Sequence, residues 1–308
     1  MSTSLRVAPK LAPFFRSLNS EPREHHPYAQ MFREDIVTGI IPIGGRSRNR
    51  PDFAIEIEGA EDNIKIAKML IGSFSDRGSH NLKESFCCAI EEIARSISWE
   101  VTSKFEVVID GHAAVSHHVS SRRTYRLPFY TVQFVPIEER EVWKRRILYC
   151  NNKYIWSITI PKSLGGAGGF KKTIKRLEKI PPGSMPDFVV QDLNRSINSS
   201  GFDFGVYSAQ QIIYINKATL KWGWHRRDWS DDKQCEYYRA YKRAMFKYSQ
   251  SLLREHITAE LNKLLSRLRI NCSITVKGLT SSSDIISAVG KLTTGEIKFT
   301  EIYDLIFD

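Results

Sequence analysis

Apolar residues recur along this chain with two periods, one near two and one near 3.6, and the switches between them divide it into elements. Phe53-Ala-Ile-Glu-Ile-Glu58 alternates like a half-buried strand and stops at Gly59. From Ala60 to Phe74 the spacing of Ile64, Ala67, Met69-Leu70-Ile71 and Phe74 predicts a helix, which Asp76-Arg-Gly78 breaks. A second helix begins at the cap candidates Ser79 and Asn81 and runs to about Trp99. It buries Leu82, Phe86, Ala89-Ile90, Ile93 and Ile97 at steps of three and four.

Strands are predicted at Lys104–Ile109, Tyr125–Pro136 and Tyr154–Ile160, where β-branched and aromatic residues lie between turn signals. Short helices fit Glu138–Arg146 and Phe170–Lys179, and Pro181-Pro-Gly183 closes this block. A helix over Asp187–Ile197 and a strand over Gln210–Ile215 follow. The longest periodic element is Asp231–Leu268, with Tyr237, Tyr241, Met245, Tyr248, Leu252, Ile257, Leu261, Leu264 and Leu268 in one stripe. A helix of that length spans about 54 Å. The tail supplies a strand over Ser273–Lys277, a turn at Gly278, a short helix from Ser283 or Asp284 to Val289, and a last element over Glu296–Phe307.

These elements give an α+β class: a mixed α/β body with a long helix near the C-terminus. Residues 1–50 hold Pro9, Pro13, Pro22 and Pro27, with Ile36–Ile43 as the apolar interruption. They read as an extended basic N-terminal arm before a body at 51–230, a stem-like helix at 231–268 and a small α/β segment at 269–308. The first residues, with Arg6, Lys10 and two prolines, lack the unbroken apolar stretch of a signal peptide. No window approaches a membrane span, so no membrane is expected.

Charge narrows the function. The 308 residues carry 45 Lys and Arg against 34 Asp and Glu, a net charge of +11. Such an excess concentrates negatively charged partners, nucleic acid above all, although a basic surface without a ligand has the same composition. Five scattered cysteines (Cys87, Cys88, Cys150, Cys235 and Cys272) suit neither a disulfide framework nor a CxxC metal knuckle, which points to a reducing compartment. Candidate phosphate contacts are Arg46, Arg48 and Arg50 in the run Gly44-Gly-Arg-Ser-Arg-Asn-Arg50. The face of the long helix opposite its apolar stripe adds Lys242, Arg243, Lys247 and Arg254, with Arg239, Lys263 and Arg267 beside them. A solvated face explains the same stripe.

Four motifs invite chemistry. Gly165-Gly-Ala-Gly-Gly-Phe-Lys-Lys-Thr173 resembles a phosphate loop in composition, but Phe170 and a second lysine break the required spacing, and a flexible turn accounts for it. Asp110 and His112 with His117 and His118 gather metal-ligand donor types, which exposed loop histidines also do. Asp284 followed by Glu296-Ile-Lys298 mimics the carboxylate and lysine set of metal-dependent nucleases, whereas Asp284 also stands where a helix cap is expected. Trp222, Trp224 and Trp229, interleaved with two arginines, suit base stacking, a subunit interface or core packing. None of the four amounts to a catalytic, metal or cofactor site, and none is expected.

Three segments in order resemble the portal proteins of tailed bacteriophages. Asn81-Leu-Lys-Glu-Ser-Phe-Cys-Cys-Ala-Ile-Glu-Glu-Ile-Ala-Arg-Ser-Ile-Ser-Trp-Glu100, leading into the strand Phe105–Ile109, is similar to the family's early helix. Leu253-Arg-Glu-His-Ile-Thr-Ala-Glu-Leu-Asn-Lys-Leu-Leu265 resembles the helix before the tunnel. Leu292-Thr-Thr-Gly-Glu-Ile-Lys-Phe-Thr-Glu301 looks like the helix start near the end of the portal core. The match covers about half of this chain; most portals are longer, and their paired second stem helix and C-terminal crown find no counterpart among the segments that match.

The resemblance implies a homo-oligomeric ring at a capsid vertex, in the virion or the host cytoplasm, conducting double-stranded DNA. Capsid, terminase and tail-adaptor proteins would be its partners. The alternative is a DNA-binding or metal-dependent nuclease subunit of a mobile element.

Overall fold

In the computed structural model, which describes residues 26–41, 53–75, 81–111, 113–120, 123–137, 140–180, 204–224 and 235–307, helices and small antiparallel sheets mix into an α+β fold. The elements run α1 (Pro27–Val37), β1 (Ala54–Gly59), α2 (Glu61–Gly72), α3 (Leu82–Glu100), β2 (Thr102–Asp110) and β3 (Ala113–Val119). Next come β4 (Thr124–Arg126), β5 (Tyr130–Phe134), α4 (Arg140–Trp143), β6 (Ile147–Asn151), β7 (Ile155–Thr159) and α5 (Gly166–Leu177). The last are α6 (Phe204–Ala218), α7 (Glu236–Arg267), β8 (Cys272–Lys277), α8 (Ser282–Thr294) and α9 (Phe299–Phe307).

Local signals set several of these as expected. The Asn81 side chain accepts a hydrogen bond from the Glu84 amide at 2.8 Å and starts α3, whose Phe86, Ile90, Ile93 and Ile97 are buried. Asn81→Ala should lower stability by about 1 kcal/mol in a denaturant titration, because that amide then loses its partner. Ser281, rather than Ser283 or Asp284, caps α8, and Asp284 completes a capping box with it.

Strands pair in three groups. β1 lies antiparallel to β8, with Ala54 opposite Lys277, which joins segments more than two hundred residues apart. A second sheet has the order β3-β2-β7 and a third the order β4-β5-β6, all antiparallel.

The main core runs between α1, α2, α3, α5, the second sheet and the C-terminal half of α7. A smaller core joins Ala240 and Ala244 of α7 to Ile285, Val289 and Leu292 of α8 and to Ile302 and Ile306 of α9. A third, around Val119, Val135, Leu148, Cys150 and Ile155, packs the β4-β5-β6 sheet onto its neighbour.

The structure corrects five expectations. Residues 27–37 are helix, not arm: Tyr28, Phe32 and Ile36, four apart, are buried in the main core. Gln210–Ile215 belongs to helix α6 rather than a strand. Tyr125–Pro136 is a hairpin turning at Leu127–Phe129, where the Leu127 amide donates to the Tyr130 carbonyl, since Pro128 cannot donate within a ladder. His117 and His118 lie on strand β3 and not in a loop. The long helix, 32 residues and about 48 Å, is no projecting stem, because it is packed along its length by both larger cores. The helix expected over Asp187–Ile197 lies outside the described residues.

Candidate nucleic-acid interface

The cations of α7 are where sequence and structure differ most. Lys247, Gln250 and Arg254 stand three and four residues apart, on one face, and that face lies under the C-terminal turn of α1. Gln250 Nε2 donates to the Asp35 carbonyl at 2.8 Å and to the Thr38 carbonyl at 3.1 Å, and Lys247 Nζ donates to the Gly39 carbonyl at 3.0 Å. Arg254 Nη1 donates to the Ile40 carbonyl at 3.2 Å and Nη2 to the Thr280 carbonyl at 2.8 Å. These side chains satisfy carbonyls that a helix end leaves open, and positive charge suits that end of the helix dipole.

Burial holds the Lys242 ammonium below its usual range, and Lys242 and Arg254 are almost fully enclosed. Arg239 pairs with Glu236 and Lys263 with Glu260, each one turn away, and Arg243 lies over the Tyr303 ring. Lys242, Lys247 and Arg254 of the expected open cationic face are therefore inside the fold, where Lys247 and Arg254 clamp the end of α1, while Lys263 stays exposed.

Burial, with the neighbouring Arg254 charge adding to it, lowers Lys247 to about 8. Between that value and the ordinary 10.5, the unfolded chain holds a proton that the folded chain has released. Stability from this group is therefore complete above pH 10.5 and lost as pH falls to about 8. Wild type should gain up to about 3 kcal/mol over Lys247→Met across that window. Parallel denaturation series of the two proteins check this.

The tryptophans are likewise internal. Trp222 is 1% exposed and Trp224 fully buried, and both pack edge-on against Phe32, with Trp224 Nε1 donating to Asp35 Oδ2 at 2.7 Å. Gly223 between them takes φ +67°, and a Cβ there would meet Met245 Cβ at 2.5 Å. That residue must be glycine for the two indoles to enter the core. Their role as interface anchors gives way to core packing. Trp229, Arg46, Arg48, Arg50 and His112 lie outside the described residues.

The other motifs do not assemble into sites. Gly165 is the left-handed start of α5, and Phe170 is buried in the core while Lys171 and Lys172 face solvent. His118 Nε2 lies 3.5 Å from Glu100 Oε1, outside good hydrogen-bond geometry, and its ring packs against Phe105. Asp284 opens α8 and Glu296 follows its C-cap Gly295, with about 15 Å of helix between them, so they share no metal position. Among the described residues no three His, Cys, Asp or Glu side chains gather as metal ligands.

An open aromatic face instead appears on the β4-β5-β6 sheet. Thr131, Gln133, Leu148 and Cys150 point inward, and the alternate positions Tyr130, Phe134, Ile147 and Tyr149 point out. Tyr125 and Tyr149, 58% and 59% exposed, are register partners of Val132 from the two flanking strands. Rings meet edge-on across strands: Tyr125 with Phe134 at 5.6 Å and Tyr130 with Tyr149 at 6.2 Å.

Asn152 fixes the hairpin that carries them. Its Nδ2 donates to the Leu127 carbonyl at 2.7 Å and the Pro128 carbonyl at 3.1 Å, while its Oδ1 accepts from Thr131 Oγ1 at 2.7 Å. Phe129, 75% exposed, stands at that turn.

Cations surround the face. Arg123 precedes β4, Lys144, Arg145 and Arg146 precede β6, and Lys153 follows it; all five are exposed. Burial lowers Lys104 and Arg267; Glu100 offsets part of this at Lys104, and the exposed Arg126 of β4 adds to the lowering at both. The signals in the sequence were the alternation Tyr130-Thr-Val-Gln-Phe134 and the run Lys144-Arg-Arg146 before a second alternating stretch. Among the described residues no helix is long and apolar enough to cross a membrane. Comparison of the chain with protein-family models, with curated proteins and with solved structures finds no match.

Proposed function

We propose that this chain binds nucleic acid, by an electrostatic contact centred on the β4-β5-β6 sheet. The observation that carries the reading is the placement of Arg123, Lys144, Arg145, Arg146 and Lys153, all exposed, at the strand ends of one small sheet. Phosphates are the polyanion such a cluster attracts best, and the net charge of +11 adds long-range attraction. Elsewhere on the surface, helix α5 carries exposed Lys171, Lys172, Lys175 and Arg176, and none forms an ion pair among the described residues.

Each phosphate neutralised releases counterions, so the logarithm of affinity should fall linearly with the logarithm of salt, with a slope of roughly −0.7 to −0.9 per contact. Titrating the full chain against labelled DNA at several salt concentrations tests this. A slope of roughly −3 to −5, reduced in Arg145→Gln/Arg146→Gln, is the expected result. Absence of binding, or binding indifferent to salt, would overturn the reading.

A portal-like ring is the second reading. The observation that favours it is a run of exposed apolar residues on and just after α6, Ile213, Tyr214 and Leu220, of the kind that a subunit contact covers. In such a ring the contact with duplex DNA would come from surface cations such as those of α5, since Lys242, Lys247 and Arg254 of α7 are internal. Native mass in solution tests it: a closed assembly of many subunits supports the ring, and a monomer removes the support.

A further inference from the structure

We infer that the outer face of the β4-β5-β6 sheet is a stacking platform for single-stranded nucleic acid, an inference that rests on the nucleic-acid reading above. A duplex offers phosphates, sugars and base edges, and its base faces are stacked inside it. An exposed aromatic surface therefore gains little from a duplex. A single strand presents the π-faces of its bases, and aromatic side chains on a sheet within a cationic surround hold them without regard to sequence.

The geometry suits that ligand. Val132 forms a low floor in the central strand, and Tyr125 and Tyr149 stand on either side of it as its register partners. Strands lie about 4.8 Å apart, so the two tyrosines rise on either side of a shallow slot about two strand spacings wide. Tyr130 and Phe134 continue the surface along β5, each held edge-on by a partner ring from a neighbouring strand, so that the rings are ordered before a ligand arrives. Asn152 holds the Leu127–Phe129 turn from three hydrogen-bonding directions, which places Phe129 at one end of the platform.

Single exposed apolar residues are ordinary, but a contiguous aromatic face of this extent on one sheet marks an interaction surface. Charge identifies the occupant. Arg123, Arg145 and Lys153 at the strand ends favour a polyanion over an apolar partner, and the sequence from 123 to 154 holds seven Lys and Arg against three Glu. Phosphates along a strand laid over the tyrosines would meet these cations at both ends of the sheet.

The test compares labelled oligothymidylate with a duplex of the same length on the full chain, using wild type, Tyr149→Ala, Tyr149→Phe and Arg145→Gln/Arg146→Gln. The expected result is preference for the single strand and a loss of about tenfold in Tyr149→Ala. Tyr149→Phe should bind as wild type does, and the salt slope should be unchanged in both tyrosine variants and reduced in the arginine variant. Thermal melting confirms that each variant folds.

Equal affinity for both forms, with Tyr149→Ala neutral and the arginine variant weakened, would overturn the stacking platform and leave the nucleic-acid reading standing. Failure to bind either form would overturn both. Concentration-dependent self-association that disperses in Tyr149→Ala, with single-strand binding unaffected by that change, would assign the face to a second copy of the chain and overturn the inference.

Discussion

Replacing Phe32 with alanine should lower stability by about 3–5 kcal/mol, measured by denaturant titration with tryptophan fluorescence as the signal. The residue lies in α1 and is fully buried, with ring centroids 5.2 Å from Trp224, 5.6 Å from Trp222 and 5.9 Å from Phe170. Truncation would leave a cavity lined by three rigid rings, and rigid walls relax poorly into a void. The size of the effect decides between two accounts of the N-terminal region. In an extended arm, Phe32→Ala would change stability by less than about 0.5 kcal/mol, as surface substitutions do.

Arg254→Gln should cost about 2–3 kcal/mol of stability and leave nucleic-acid affinity per folded molecule unchanged. The guanidinium joins the Ile40 and Thr280 carbonyls, which belong to distant parts of the chain, and glutamine can serve only one of them. Arg254→Lys should also be destabilised, because an ammonium is a compact point charge that does not reproduce the planar fork of donors. If Arg254 were a surface contact to phosphate, the pattern would invert: affinity would fall and stability would hold. Equilibrium unfolding and DNA titration on the same preparation separate the two.

How far the sequence was legible follows from which signals are local. Helix α3 was readable because Asn81 and the spacing of Phe86, Ile90, Ile93 and Ile97 act within one element. Strands β1 and β8 were readable one by one, but nothing local says that Ala54 pairs with Lys277. Helix α1 carried its period in Tyr28, Phe32 and Ile36, and four nearby prolines outweighed it. In Gln210–Ile215 six residues were too short a window to separate the two periods, so an apolar run inside α6 read as a strand.

The candidate site shows the same limit more sharply. Helical spacing places Lys247, Gln250 and Arg254 on one face without saying whether water or protein covers it, and the covering residues lie more than two hundred positions away. The aromatic face had a local signature, but strand alternation alone does not say which set of alternate residues faces the core. In β5 the inward set is Thr131 and Gln133, and the tyrosine and phenylalanine face out, the reverse of the usual preference. A sheet that turns its polar residues inward and its rings outward departs from what stability alone would choose, and such departures gather where a surface has work to do.

Photocross-linking of the full chain to a single strand containing a photoreactive thymidine analogue, followed by peptide mapping, tests the central claim most directly. The account predicts adducts within residues 123–154, at Tyr125, Tyr130 or Tyr149, and their loss in excess unlabelled single strand. Adducts confined to residues 239–267 of the long helix, or none that competitor removes, would contradict it.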